Sequence, residues 1–343
     1  MLLRNVCIES VDVDGRDIVN DMAKFQTTNE FGERVRCSYY ELLANLSHHQ
    51  YIDNLGDVVD DSLPYAVAVS NNVDKDVGRM FEDDLVVQYL FDCKFDDMNE
   101  IESKIFNCLE KIIVHESFGK WFVTQKDQLK LLKVVQLIVP EKSWDNYELI
   151  GLLSWLHPLL VKLSEDTIDS FHKKDYVTLE TIHPKLVVVV DCLSELGKFN
   201  IAKDFMINYN FLDTLIPLLG TIHVEIKPKN MMKKISSVVS FPHIKSMIIE
   251  IISYLSYENF EVQEKVRQLG GLQVILSNCV IDDDNPYIKE RSIIALKFLL
   301  AGNSSNQKIV GDLEAKKAVD NDVLEQVGYE VEVDNGEIKM KRR

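Results

Sequence analysis

Three consecutive carboxylates, Asp282-Asp283-Asp284, form a dense run of ligand-type side chains. Oxygen donors in a row suit a hard divalent cation, but the spacing of an EF-hand loop and its closing glutamate are missing. Asn285-Pro286 follows directly, which offers another use for the run. Asp284 or Asn285 can cap a helix, Pro286 fits its first position, and the acids favour its positive end. Helix capping is therefore expected here, and no metal is assigned.

Other chemistry finds little support. The eight histidines are scattered, and the adjacent pair His48-His49 would diverge by about 100° on a helix. Cys37 and His115 offer no ligand spacing. His157-Pro158, His183-Pro184 and Pro242-His243 read as helix boundaries. The six cysteines (Cys7, Cys37, Cys93, Cys108, Cys192 and Cys279) never come closer than 15 residues. Without a CxxC there is no zinc ribbon or thioredoxin-type site. Phosphate-binding, dinucleotide-binding, nucleophile-elbow and HExxH signatures are all absent. The chain reads as noncatalytic and without a cofactor. The alternative is a metal-handling protein or enzyme whose site forms only in the fold. Trp121, Trp144 and Trp155 read as core anchors.

The elements that would position such residues are helical. With 14 Gly and 8 Pro in 343 residues, the chain lacks the turns of a β-sandwich and the glycine loops of a doubly wound α/β fold. One pattern recurs: an apolar helix end, a short polar turn, then a short helix. It appears at Ala295–Val310, Ile252–Val266 and Val190–Phe205, with looser copies at Leu3–Val19 and Cys108–Phe122. The last two turns, at Leu255 and Leu299, are 44 residues apart. That is the spacing of armadillo and HEAT units, and a degenerate unit is expected near Tyr147–Lys162. Stacked units share one core, so the expectation is all-α: an armadillo/HEAT-like right-handed α-solenoid forming one domain over residues 1–330.

Two stretches interrupt the array: an acidic loop over about 53–78 and a basic insertion over about 221–242. The latter carries Lys227, Lys229, Lys233 and Lys234, and its default reading is a disordered loop, with a partner-binding insertion as the alternative. Residues 331–343 form a distinct tail. Asn335-Gly336 suits a type I′ turn, which would oppose Val333 with Ile338, Glu332 with Lys339 and Val331 with Met340. Such a short C-terminal β-hairpin either docks or frays.

Net charge is −17. A deficit of cations disfavours nucleic acid, and the same charge repels anionic lipid. Between Tyr51 and Glu102 there are 14 acidic residues against Lys75, Arg79 and Lys94. These form either a solvated face or a docking surface for a basic protein segment, with Asp57, Asp60, Asp61, Glu82, Asp83 and Asp84 as its candidates. No stretch reaches the length of a membrane span, and the N-terminus turns acidic too early for a secretory signal. Cysteines inside apolar runs suit a reducing compartment, so the cytoplasm, and by extension the nucleus, is expected.

The segment 265–315 contains a leucine-rich helix, then Asn278-Cys279, Asp282-Asp283, Asn285-Pro286-Tyr287, and further on Asn303, Asn306 and Gln307. This pattern resembles the C-terminal domain of the ataxin-10 family, whose fungal members are also called copper transport protein 86. The closing GYEVEVDNGEIKMKRR is similar too. Specific motifs cover about 80 of the 343 residues. Arg291 departs from the family's common Trp, and Lys297-Phe298 from its Arg-Asn. The resemblance implies an armadillo-like scaffold without catalytic residues, with roles around cytokinesis and survival. The fungal name implies copper homeostasis, but no CxxC or Met-x-x-Met is present to hold Cu(I), so any copper link is expected to be indirect.

Armadillo proteins that grip extended peptides use an Asn ladder on their inner helices. The aligned positions here are Asn5, Cys192, Tyr254 and Phe298. With one Asn among them, backbone clamping is not expected. Tyr254 and Phe298 form either an apolar partner groove or part of the core. The start at Leu3-Arg4-Asn5-Val6 reads as the end of a repeat's last helix: either sequence precedes it or that end is itself an interface, as in a homo-oligomer.

Overall fold

The computed structural model describes residues 81, 84–92, 95, 100–229, 241–314, 329–334 and 337–342. These are helical but for two short strands, and they fall into two compact units that meet in sequence between Ile138 and Val139.

The described part of the first unit holds α1 (Asp84–Asp92), α2 (Glu100–Ile113), α3 (Phe118–Thr124) and α4 (Gln128–Ile138). Its core is aromatic: Phe91 stacks on Phe118 and Trp121, with ring centroids 5.9 Å apart in both pairs. Cys108 is buried among these helices, and burial pushes its thiol up to about 12.

The second unit begins with α5 (Asn146–Lys173) and α6 (Tyr176–Leu196), followed by α7 (Asn200–Asn208), α8 (Phe211–Glu225) and α9 (Ile244–Ser256). Then come α10 (Phe260–Gln268), α11 (Gly271–Ser277), α12 (Ile288–Leu300) and α13 (Ser304–Glu314). A capping box starts α5: the Asp145 carboxylate accepts from Glu148 N at 2.9 Å, and Glu148 Oε2 accepts from Asp145 N at 3.0 Å. The helix ends at Lys174 in the left-handed region. The joints α6–α7, α9–α10 and α12–α13 each span three residues and fall at the three clear copies of the sequence pattern.

Helices in matching repeat positions pack on one another. The pairs α5–α8 and α8–α11 make one layer; α6–α9 and α9–α12 make the other. Leu186, Val189, Leu193, Ile248, Ile252 and Leu299 are fully buried between these layers. Each such side chain contributes roughly 1.5–3 kcal/mol. β1 (Tyr329–Asp334) pairs antiparallel with β2 (Glu337–Arg342), placing Val333 opposite Ile338, Glu332 opposite Lys339 and Val331 opposite Met340.

Three local expectations are corrected. Pro158 and Pro184 lie inside α5 and α6, so His157 and His183 are mid-helix residues rather than boundaries. A proline interrupts one backbone bond, at about 3 kcal/mol, and burial on either side of it outweighs the loss. The basic insertion starts later than residue 221. Thr221–Glu225 continue α8, because Ile222 is buried one turn beyond Leu218 and Leu219. The third correction concerns the carboxylate run and is taken up below.

Candidate functional site

Helices α6, α9 and α12 lie side by side and are tied across one common face by Glu250. Its Oε2 accepts from Ser194 Oγ on α6 at 2.9 Å and pairs with Arg291 on α12 at 2.8 Å. Its Oε1 accepts from Tyr254 Oη at 3.1 Å. Arg291 also donates to Ser246 Oγ at 3.2 Å. Burial, the Glu250 carboxylate and then Glu195 hold the Tyr254 phenol up at about 12. A Cβ placed on Gly197 would stand 3.3 Å from Tyr254 Cδ2, so the end of α6 lies directly against that ring.

One turn on, Tyr257 meets Phe298 edge-to-face at 5.0 Å. Tyr257 is 52% exposed and Ile294, one turn before Phe298, is 47% exposed. Together Tyr254, Tyr257, Ile294 and Phe298 make an aromatic and apolar strip bordered by Glu195, Glu250 and Glu258. Such a strip can hold an extended chain or a cation.

At the other end of α9 the carboxylate run does something different from capping. Asp282 is buried and pairs with Lys245, which is wholly buried, at 2.7 Å. Asp282 Oδ1 also accepts from the backbone N–H groups of Lys229 and Asp284, at 3.1 and 3.2 Å. Asn285 bridges the pair, donating to Asp282 Oδ2 at 2.9 Å while its Oδ1 accepts from Lys245 N at 3.1 Å. Burial pushes the Asp282 carboxyl up, but the Lys245 ammonium and the other donors outweigh it and leave it below the usual carboxylate value. Lys229 pairs with Asp284 at 2.7 Å, and His243 N donates to Asp284 O at 2.7 Å. Helix α12 instead starts after Tyr287, which adopts φ 62°, and no side chain caps it. The expectation of Asp284, Asn285 and Pro286 as cap and first turn is therefore overturned: the buried ammonium of Lys245 and the Lys229 side chain and backbone claim these carboxylates.

A sequence profile of the spinocerebellar ataxia type 10 protein domain matches residues 244–341. An ataxin-10 homolog of Debaryomyces hansenii is 34% identical across all of this chain, which covers 79% of that protein. The Candida albicans homolog is also 34% identical over the whole chain, which covers 84% of it. The chain belongs to the ataxin-10 family. The Saccharomyces cerevisiae homolog is 35% identical over 72% of the chain and 52% of the relative.

The ataxin-10 motif residues now have physical roles. Asn278 is buried; its Nδ2 donates to Val274 O at 2.8 Å and its Oδ1 accepts from His223 Nδ1 at 3.2 Å. Asn306 Nδ2 donates to Leu299 O at 2.8 Å and Gln307 Nε2 to Leu300 O at 2.8 Å, so these amides close the last carbonyls of α12. Asn303 Oδ1 accepts from Asn306 N at 3.0 Å, and its Nδ2 donates to Glu264 at 3.1 Å. The family is not a known enzyme family. Among the described residues, no three His, Cys, Asp or Glu side chains converge as a metal cluster would require, and no helix is long and apolar enough to cross a membrane.

Of the residues singled out for partner binding, Tyr254 and Phe298 lie on the common face. Cys192 does not: it is 1% exposed, because its position on α6 turns into the layer interface, and its thiol is raised well above the ordinary value by burial. Asn5, Asp57, Asp60, Asp61, Glu82 and Asp83 lie outside the described residues, and Asp84 is the first residue of α1. Trp121, Trp144 and Trp155 are each 6% exposed, as core anchors should be. Lys245, Glu250 and Tyr257 did not emerge from sequence. The one signal for Lys245 and Glu250 is their charge inside a largely apolar helix, IKSMIIEIISYLS, and Tyr257 lies just past its end.

Proposed function

We propose that this ataxin-10 relative is a noncatalytic α-solenoid scaffold that binds other proteins along the common face of α6, α9 and α12. The observation that carries this reading is the strip of exposed Tyr257 and Ile294 with half-buried Tyr254 and Phe298, beside the Glu250–Arg291 ion pair. Aromatic side chains presented on rigid helices are typical anchors of protein interfaces. Repeats in two packed layers support the armadillo-like solenoid, whose successive third helices form one extended surface. The acidic residues of 53–84 offer a second surface for basic segments. The working compartment is the cytoplasm, with the nucleus as a second location. The likeness to the ataxin-10 family supports reading its cellular roles around cytokinesis and survival, with copper homeostasis entering only indirectly.

The test is affinity capture with the full chain, compared with a Tyr257→Ala/Phe298→Ala variant that keeps the wild-type circular dichroism. Loss of a discrete set of bound proteins is expected. An unchanged set would sink the assignment of this face. Purified protein that retains Cu(I) through dialysis would overturn the indirect role of copper.

A further inference from the structure

We propose that the aromatic strip takes an extended peptide segment carrying an arginine between apolar residues, with its guanidinium seated between the Tyr254 ring and the Glu195 carboxylate. This rests on the scaffold reading and names the chemistry of its partner.

Three observations carry it. The strip is two-sided: apolar surface from Ile294 and Phe298 lies on α12, whereas carboxylates lie on α6 and α9. An occupant must match both, with apolar groups toward α12 and positive charge toward α6. Next, the resident cation Arg291 is fully engaged by Glu250 and Ser246, so it does not neutralise Glu195. The partner of Glu195 is Lys198, one turn away on the chain, with both side chains well exposed at 52% for Lys198 and 37% for Glu195. Such an exposed pair is weak and easily exchanged for a better-placed cation. Finally, α6 ends directly against the Tyr254 ring, where a Cβ on Gly197 would stand 3.3 Å from Cδ2, and Glu195 lies in that same last turn, which brings a carboxylate to the same end of the strip as the ring. A planar guanidinium can stack on that face while it hydrogen-bonds the carboxylate; a lysine ammonium can do only part of this. Lys297, exposed beside Phe298 on α12, belongs to the flanking surface.

The experiment is fluorescence anisotropy of a short labelled peptide of alternating arginine and leucine, titrated with the full chain at low and at high salt. Binding that weakens about fivefold or more when citrulline replaces arginine is expected, because citrulline keeps the shape and loses the charge. Glu195→Gln should weaken it by about the same factor, whereas Asp169→Asn, an exposed acid on α5, should leave it unchanged. Equal binding of the citrulline peptide, indifference to Glu195→Gln, or tighter binding of a glutamate-leucine peptide would each overturn the proposal. If the peptide fails while Tyr257→Ala/Phe298→Ala still releases captured proteins, the arginine assignment falls and the scaffold reading stands. If neither responds, both fall.

Discussion

Lys245 Nζ lies 2.7 Å from Asp282 Oδ2, and neither side chain reaches solvent. The pair joins the start of α9 to the loop before α12, and through Lys229 and Ile226 it also holds the segment after α8. Thirty-seven positions separate the two partners along the chain, so the contact closes a repeat on itself rather than stiffening a single helix.

Removing one partner leaves the other charge buried and uncompensated. Lys245→Met and Asp282→Leu should each destabilise the second unit by about 3–5 kcal/mol. The double variant Lys245→Met/Asp282→Leu should recover most of that loss, because the desolvation cost of both ions disappears together. Urea titrations of the four proteins form a double-mutant cycle that reads the coupling directly. Single variants as stable as wild type would show that the pair is not closed in solution.

The adjacent glycines Gly270 and Gly271 make a second, sharper contrast. Gly270 has φ 77° with open space around its missing Cβ, whereas a Cβ on Gly271 would meet Val266 Cγ1 at 2.8 Å and Ile216 Cδ1 at 3.0 Å. Gly270→Ala should therefore cost about 1–2 kcal/mol from backbone strain alone. Gly271→Ala should cost about 1–3 kcal/mol by wedging α11 away from α8. The two differ in rescue. Ile216→Val should relieve Gly271→Ala and leave Gly270→Ala untouched, as thermal unfolding of the pairs would reveal.

How much of this was legible before the structure depends on what each residue answers to. The three-residue joints were visible because a local rule sets them: apolar residues at helical spacing stop, polar residues follow, and a new short helix begins. Trp144 was readable as core for a similar reason, and its Nε1 reaches Val139 O at 2.8 Å. The use of Asp282 is hidden in the sequence because its partner lies 37 positions upstream, in a helix whose other residues are mostly apolar. A capping rule based on neighbours cannot see a buried ammonium brought in by the fold. Cys192 was misplaced for the opposite reason. A positional analogy with peptide-gripping helices named a ladder position, but the rotation of α6 about its axis, set by Leu186, Val189 and Leu193, turns it inward.

Gln263 shows the same limit in a polar residue. It is 2% exposed on α10, and its Nε2 donates to Phe298 O at 2.9 Å, fastening α10 to the end of α12 beside the aromatic strip. Gln263→Leu would leave that carbonyl and the Asn303 amide short of partners, at about 1–3 kcal/mol. Because Phe298 O sits at the strip, the loss should also loosen Phe298, raising amide hydrogen exchange in residues 298–303 above that of α6. Exchange that rises equally everywhere would mean only global destabilisation.

Acid sensitivity follows from groups held away from their ordinary values. His183 packs against Phe241 with ring centroids 4.5 Å apart and donates from Nε2 to Pro242 O at 3.4 Å; burial, opposed by that hydrogen bond and aided by the charge of His243, lowers its imidazole value. His223 and His157 are lowered by burial as well. A lowered histidine takes up its proton more readily when unfolded, so each erodes stability as pH falls below about 6.5. Asp282 is also lowered, and its contribution, present above about pH 4, is lost as pH falls through its folded value. Stability should thus decline in two steps on acidification, first from the histidines and then from the buried carboxylate. His183→Phe keeps a ring against Phe241 and removes the titration. It should flatten the first step, between about pH 7 and 5, and leave the second in place. Urea midpoints measured across that range decide it: a first step of unchanged slope would exclude His183 as its source.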